Sequence, residues 1–279
     1  MDIKLNNKVK IPQIGYGVYK MLDNKTTVDS IVCAIKSGYR LIDTASRYQN
    51  ESCVGEAIKK CGLKREEIFI TSKLWNDDQG YESTLKAFNQ TMKKLGIKYL
   101  DLYLIHWPVP DGHEKDFLKL NLQTWKAMEE LYKAKKIRAI GVSNFGISHL
   151  QNIIKNSKII PMVNQIEFHP GAYDSKLINF CKKNKIVVEA WGPLGQGRAF
   201  SDPTLLSLAK KYNKTVSQIC LRWCVQHNVV PLPKSSHEER IKQNFDIFNF
   251  KISTADMKIL DNNENFQDTV GSNYYNRIH

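Results

Sequence analysis

The chain has 279 residues, 42% of them hydrophobic, and its 41 Lys and Arg against 28 Asp and Glu give a formal charge of +13. That apolar content excludes a disordered chain, because enough surface can be buried to offset the ordering entropy. Length leaves open two domains of roughly 150 residues or one α/β barrel of about 250.

In chain order, residues 1–7 lack a signal-peptide core. Segments 3–5 and 9–11 flank Asn6-Asn7-Lys8 and predict a β-hairpin capping whatever follows. Eight short runs rich in Ile, Val and Leu then occupy 14–16, 41–43, 68–73, 100–106, 137–143, 162–167, 186–191 and 229–232. Such runs suit strands buried on both faces of a parallel sheet. Between them lie helical patterns: 26–37 stopping at Gly38, 81–95 stopping at Gly96, and 122–135 with Trp125, Met128, Leu131 and Tyr132 on one stripe. The alternation predicts an α/β fold, a (β/α)8 TIM barrel with an N-terminal hairpin cap, as a single domain over 1–279. The rival doubly wound sheet would carry G-x-G-x-x-G after its first strand; Gly15-Tyr16-Gly17 lacks the third glycine. Two long connections, 108–119 and 192–203, are candidate substrate or cofactor loops.

The most apolar run, 99–107, is interrupted by Asp101 and falls short of the roughly 18 residues of a membrane span. Cysteines 33, 53, 61, 181, 220 and 224 are scattered, which suits neither a disulfide framework nor a zinc site. A cytoplasmic protein without metal or membrane partner is expected. The lysines fall in pairs near the ends of helical patterns, where they favour the helix dipole, so the basic surplus does not predict a nucleic-acid partner.

In a barrel the C-terminal strand ends form the active-site face. Here the second run ends at Asp43, the third at Lys73, the fourth at His106 and the fifth at Ser143-Asn144. The sixth contains Gln165 and Glu167, the seventh ends at Trp191, and Lys234-Ser235-Ser236 follows the eighth. Asp43, Tyr48, Lys73 and His106 together make an acid catalyst: Lys73 is expected to lower the phenol's pKa, Asp43 to hold the lysine charged, and His106 to donate to a substrate oxygen.

The segment Gly38-Tyr39-Arg40-Leu41-Ile42-Asp43-Thr44-Ala45-Ser46-Arg47-Tyr48-Gln49-Asn50-Glu51 resembles the aldo-keto reductases. So, in order, do Ile70-Thr71-Ser72-Lys73-Leu74-Trp75, Leu104-Ile105-His106-Trp107-Pro108, Ile140-Gly141-Val142-Ser143-Asn144-Phe145, Asn164-Gln165-Ile166-Glu167-Phe168-His169-Pro170 and Pro233-Lys234-Ser235-Ser236. The resemblance spans 12–250 and is greatest to the diketogluconate-reductase-like and small-aldehyde-reducing microbial members.

It implies a reductase using NADPH without a Rossmann domain, Tyr48 donating the proton and small aldehydes, ketones or keto sugars as substrates. The alternative it leaves is an NADPH-binding regulatory subunit on the same barrel. By the same resemblance Ser143, Asn144 and Gln165 hold the nicotinamide carboxamide, and Trp191 stacks on the ring where many members have Tyr. Gly17, Val18, Tyr19 and Asp43 face the cofactor too, and Gly192, Leu194, Gln196 and Gly197 run over its pyrophosphate. Lys234, Ser235, Ser236 and Arg240 clamp the 2′-phosphate, and Gln243 and Asn244 meet the adenine. Tyr19, Trp75 and Trp107, with Tyr48 and His106, line the substrate pocket. The short polar tail after Phe250 lacks a long closing loop, so an open pocket for small polar carbonyls is expected; separately, a monomer is expected.

Overall fold

The computed structural model describes residues 2–265, so the ends of the expected 1–279 domain, and the part of the tail from 266 on, lie outside the described residues. Strands β1 (Asp2–Lys4) and β2 (Lys10–Pro12) form the predicted antiparallel hairpin, with Ile3 opposite Ile11. Its turn is pinned by side chains: Asn6 Nδ2 donates to Pro161 O at 3.1 Å and Asn7 Nδ2 to Arg138 O at 2.9 Å. Both acceptors lie at or just before the starts of barrel strands, so the hairpin closes the N-terminal end.

The barrel strands are β3 (Tyr16–Gly17), β4 (Leu41–Asp43), β5 (Phe69–Leu74), β6 (Leu100–Ile105), β7 (Ile137–Ser143), β8 (Val163–Glu167), β9 (Val187–Trp191) and β10 (Val230–Pro231). Each pairs in parallel with the next in sequence. The seam between first and last is closed by Gly15 N donating to Pro231 O and Gly17 N to Pro233 O, both at 3.0 Å. Glycine is needed at 15: a Cβ there would stand 2.5 Å from Leu232 and 2.6 Å from Leu41 side-chain atoms. β10 is shorter than the expected 229–232 because Pro231 and Pro233 supply no N–H to a ladder.

Around this sheet run α1 (Lys25–Lys36), α2 (Glu51–Lys60), α3 (Tyr81–Leu95), α4 (Phe117–Lys133), α5 (Ile147–Asn156), α6 (Ser175–Lys183), α7 (Pro203–Tyr212), α8 (Val216–Gln226), α9 (Glu238–Phe245) and α10 (Thr254–Asp261). Their starts follow local chemistry. Asn24, Asp174, Asp202, Thr215 and Ser253 each accept a first-turn N–H, and Pro203 opens α7. Lysine pairs close α2, α3, α6 and α7, where they oppose the dipole's negative end.

Two connections are more ordered than the sequence suggested. The 108–119 segment ends early, because α4 begins at Phe117, buried edge-on against the His149 ring at 5.5 Å. The 192–203 segment holds a turn of 3-10 helix, Gly195–Ser201, kinked where Gln196 and Gly197 take positive φ. Among the described residues no helix is long and apolar enough to cross a membrane.

Candidate active site

The strand pattern puts alternate side chains inside the barrel, and their polar members meet at its C-terminal end. Lys73, on β5, is fully buried, and its ammonium lies 2.6 Å from Asp43 Oδ1 at the end of β4. It also donates to Thr44 O at 3.0 Å and to Tyr48 Oη at 3.3 Å. Burial alone would push this lysine down, but the charge of Asp43 and the hydrogen bonds override it, so its pKa is raised and the ammonium stays charged.

Tyr48 ends a single 3-10 turn, Ser46–Tyr48, tied down by Ser46 Oγ donating to Lys73 O at 3.0 Å. Its ring stands edge-on to His106, centroids 5.7 Å apart, and 5.0 Å from the Tyr19 ring. Here the structure corrects the sequence expectation. Burial pushes the phenol up to about 12, and the nearby Lys73 charge offsets that only in part. His106 follows β6, is 7% exposed, and is held well below the usual imidazole range by burial and then by the Lys73 and Arg47 charges. It is therefore a neutral imidazole, with its Nδ1 buried and unpartnered.

Beneath the tetrad a polar column continues across the barrel. Gln165 and Glu189 are register partners on β8 and β9. Gln165 Nε2 donates to Asp43 Oδ2 and to Glu189 Oε2, both at 2.9 Å. Glu189 is fully buried; desolvation first, then the Asp43 charge, raises its pKa to about 8. The sequence reading missed it, although an acid inside the apolar run Val187-Val188-Glu189-Ala190-Trp191, on the same strand face as Trp191, was a visible signal. It also missed Asn50, whose side chain fixes the β3–α1 connection through Val18 O and Met21 O at 2.9 and 3.0 Å and accepts from Thr44 Oγ1.

The expected nicotinamide-facing residues are brought together. Ser143 Oγ donates to Gln165 O at 2.8 Å, Asn144 Nδ2 to His106 O at 2.9 Å, and Trp191 Nε1 to Asn144 Oδ1 at 2.7 Å. Asn144 sits at φ +63, a conformation asparagine tolerates. Gly17 lies in β3, and Val18 is fully buried with its N–H committed to Asp43 O, whereas Tyr19 is half exposed at the mouth. Half-buried Trp75 and Trp107 flank His106; the Trp75 ring is edge-on to it at 5.1 Å, and Trp107 O accepts from Gln79 Nε2. Leu194 leads into the 3-10 turn, and Lys20 Nζ donates to Gln196 Oε1 at 3.1 Å across the mouth. Arg198 anchors the same turn, 3.6 Å from Glu167, which also meets His169.

Three features test the fit of a phosphorylated nicotinamide dinucleotide. Both amide hydrogens of Gln165 go to side-chain carboxyl oxygens, so its own oxygen remains as acceptor for a primary amide. Gly192 and Gly197 have φ of +58 and +102, and a Cβ on either would meet nothing within 4 Å, so the backbone there is open to close approach. Lys234 and Arg240 are exposed around the start of α9 and meet no carboxylate within 4.0 Å among the described residues. Ser235 is buried with Ser236 exposed beside it; Gln243 is exposed and Asn244 buried on α9. The residues fit such a group.

A parallel eight-stranded barrel whose mouth gathers a buried Asp–Lys pair, a tyrosine and a neutral histidine defines a class of barrel oxidoreductases. The chain belongs to the Aldo/keto reductase family, whose sequence model matches residues 13–265. It is 50% identical over 259 residues to the glyoxal reductase of Bacillus subtilis, covering 93% of this chain and 91% of that protein. It is 45% identical to a 9,11-endoperoxide prostaglandin H2 reductase of Trypanosoma cruzi, covering 93% and 90%. Among solved structures it is similar to an aldo/keto reductase from Brucella melitensis (TM-score 0.88, 46% identity, 94% and 98% covered). It is similar too to a Bombyx mori aldo-keto reductase in complex with NADP (TM-score 0.86, 35% identity, 94% and 92% covered).

Proposed function

We propose that this protein reduces small aldehydes and ketones, glyoxal-type carbonyls among them, to alcohols with NADPH, and that Tyr48 is the proton donor. The observation that carries this reading is the 3.3 Å contact of Tyr48 Oη with the Lys73 ammonium, itself 2.6 Å from Asp43. The reduced nicotinamide, when bound, supplies hydride to the carbonyl carbon. Neutral His106 donates a hydrogen bond to the carbonyl oxygen, orienting it without surrendering a full proton. As negative charge builds on that oxygen, Tyr48 Oη passes its proton to it, and the phenolate left behind faces Lys73. A phenol near 12 is still far more acidic than an alcohol, whose alkoxide approaches hydroxide in basicity (bulk water about 15.7), so transfer runs downhill. Solvent then reprotonates Tyr48. Gln165, Ser143 and Asn144 hold the carboxamide, Trp191 backs the ring, and Lys234 with Arg240 selects the 2′-phosphate.

The relative named a glyoxal reductase supports the substrate class, and the relative solved with NADP supports the cofactor. The test is NADPH consumption with glyoxal, methylglyoxal and larger aldehydes, by wild type and Tyr48→Phe. Losing the proton donor should cost about 10²- to 10⁴-fold in kcat with cofactor affinity unchanged. Full activity of Tyr48→Phe would refute the donor assignment, and tight NADPH binding with no turnover of any carbonyl would favour the regulatory alternative.

A further inference from the structure

Five of the seven described arginines are satisfied by the protein itself. Arg65 and Arg138 share Asp101, Arg198 meets Glu167 and Gly195 O, Arg40 donates to Ile35 O and Tyr39 O, and Arg222 to Gln226 and Ile247 O. Arg240 faces the proposed phosphate. That leaves Arg47, which is exposed and meets no carboxylate within 4.0 Å among the described residues, although Asp77 and Asp78 follow Trp75 closely in sequence. Its guanidinium instead lies over the Trp75 ring, 5.1 Å from the centroid, and that ring is edge-on to His106 at a further 5.1 Å. Arg47 also precedes Tyr48 directly in the Ser46–Tyr48 turn, so one turn carries both groups.

We propose that Arg47 forms an anion subsite of the carbonyl pocket, and that the favoured substrates are short aldehydes or ketones bearing a carboxylate a few bonds from the reacting carbon. The proposal rests on the reductase reading above and specifies its substrate class. The aromatic faces of Trp75 and Tyr19 hold the aliphatic stretch, Tyr48 and His106 take the carbonyl oxygen, and the guanidinium fork takes the carboxylate in bidentate fashion. Stacking on Trp75 restrains the arginine in advance, which reduces the ordering entropy that weakens an exposed pair. The reach of its charge is visible at His106, where Arg47 contributes to keeping the imidazole neutral.

The test compares 4-oxobutanoate with its methyl ester, NADPH as donor, in wild type, Arg47→Met and Arg47→Lys. The readout is the ratio of kcat/KM for the acid to that for the ester, which cancels any general damage to turnover. We expect this ratio to fall about tenfold in Arg47→Met, to be partly kept in Arg47→Lys, and in wild type to shrink as salt rises from 0.01 to 0.5 M, roughly a 30 to 4 Å change in screening length. Equal ratios in wild type and Arg47→Met, with both aldehydes reduced, overturn the subsite and leave the reductase reading standing. No reduction of either aldehyde by wild type overturns both.

Discussion

Glu189 makes a prediction whose size follows from its position. It is fully buried beneath Gln165, with Asp43 and Lys73 as its charged neighbours, and its carboxyl is raised from the ordinary 4.5 to about 8. The folded protein therefore binds a proton there that the unfolded chain releases above its own lower pKa. The sign is fixed by that difference: this contribution to stability is fully present below about pH 4.5 and is lost as pH rises through about 8. At about 1.4 kcal/mol per pH unit, the loss between pH 5 and pH 8 has a ceiling of about 3–4 kcal/mol. Glu189→Gln keeps the carbonyl that accepts from Gln165 and removes the titration. Its amide creates no additional orphan, because Glu189 Oε1 is already unpartnered. Urea unfolding of wild type and variant at pH 5, 6, 7 and 8 isolates the effect, since the opposing contribution of His106, whose lowered pKa costs stability as pH falls, is common to both. The variant should gain on wild type by up to about 3–4 kcal/mol on going from pH 5 to pH 8. Parallel stability curves would refute the reasoning.

Lys73→Met leaves the buried Asp43 carboxylate without its cation, so it should cost about 3–5 kcal/mol of stability, read by urea unfolding, together with most of the turnover. Arg240→Ala should weaken NADPH binding by about tenfold and leave NADH binding nearly unchanged, because only the former carries the 2′-phosphate; titration of intrinsic fluorescence with each cofactor checks both. An equal loss for the two cofactors would remove the phosphate assignment.

Much of the barrel was legible because a strand buried on both faces must be apolar throughout. Runs 41–43 and 137–143 match β4 and β7 residue for residue, and 81–95 matches α3, which stops at Gly96 in the left-handed conformation. The early start of α4 was not legible, because what buries Phe117 is His149 on α5, a contact no local pattern encodes. At the site, three of the tetrad emerged because Asp43, Lys73 and His106 stand at the ends of apolar strand runs; Tyr48 lies in the turn after the first of them. Arg47 and Glu189 did not emerge: an arginine in a turn reads as surface, and one acid inside a strand reads as an irregularity until its register partner Gln165 is known. The direction of the Tyr48 shift was misread for a related reason. Sequence pairs the phenol with a cation, but it does not show that desolvation outweighs that cation.

That misreading changes what Lys73 does in the proposed reaction. Its ammonium is closer to Asp43, at 2.6 Å, than to Tyr48, at 3.3 Å. With Glu189 protonated, Lys73 and Asp43 balance one charge against the other. A resting phenolate would add an uncompensated negative charge beside this buried pair, so Tyr48 keeps its proton. Only when a stronger base, the forming alkoxide, stands against Tyr48 Oη does the proton leave. The negative charge then moves from the substrate oxygen to a phenolate already next to a cation. Lys73 therefore serves the state after proton transfer more than the state before it. The proton on Glu189 serves both, because an ionised Glu189 would draw the Lys73 charge toward the barrel floor and leave less of it for Tyr48.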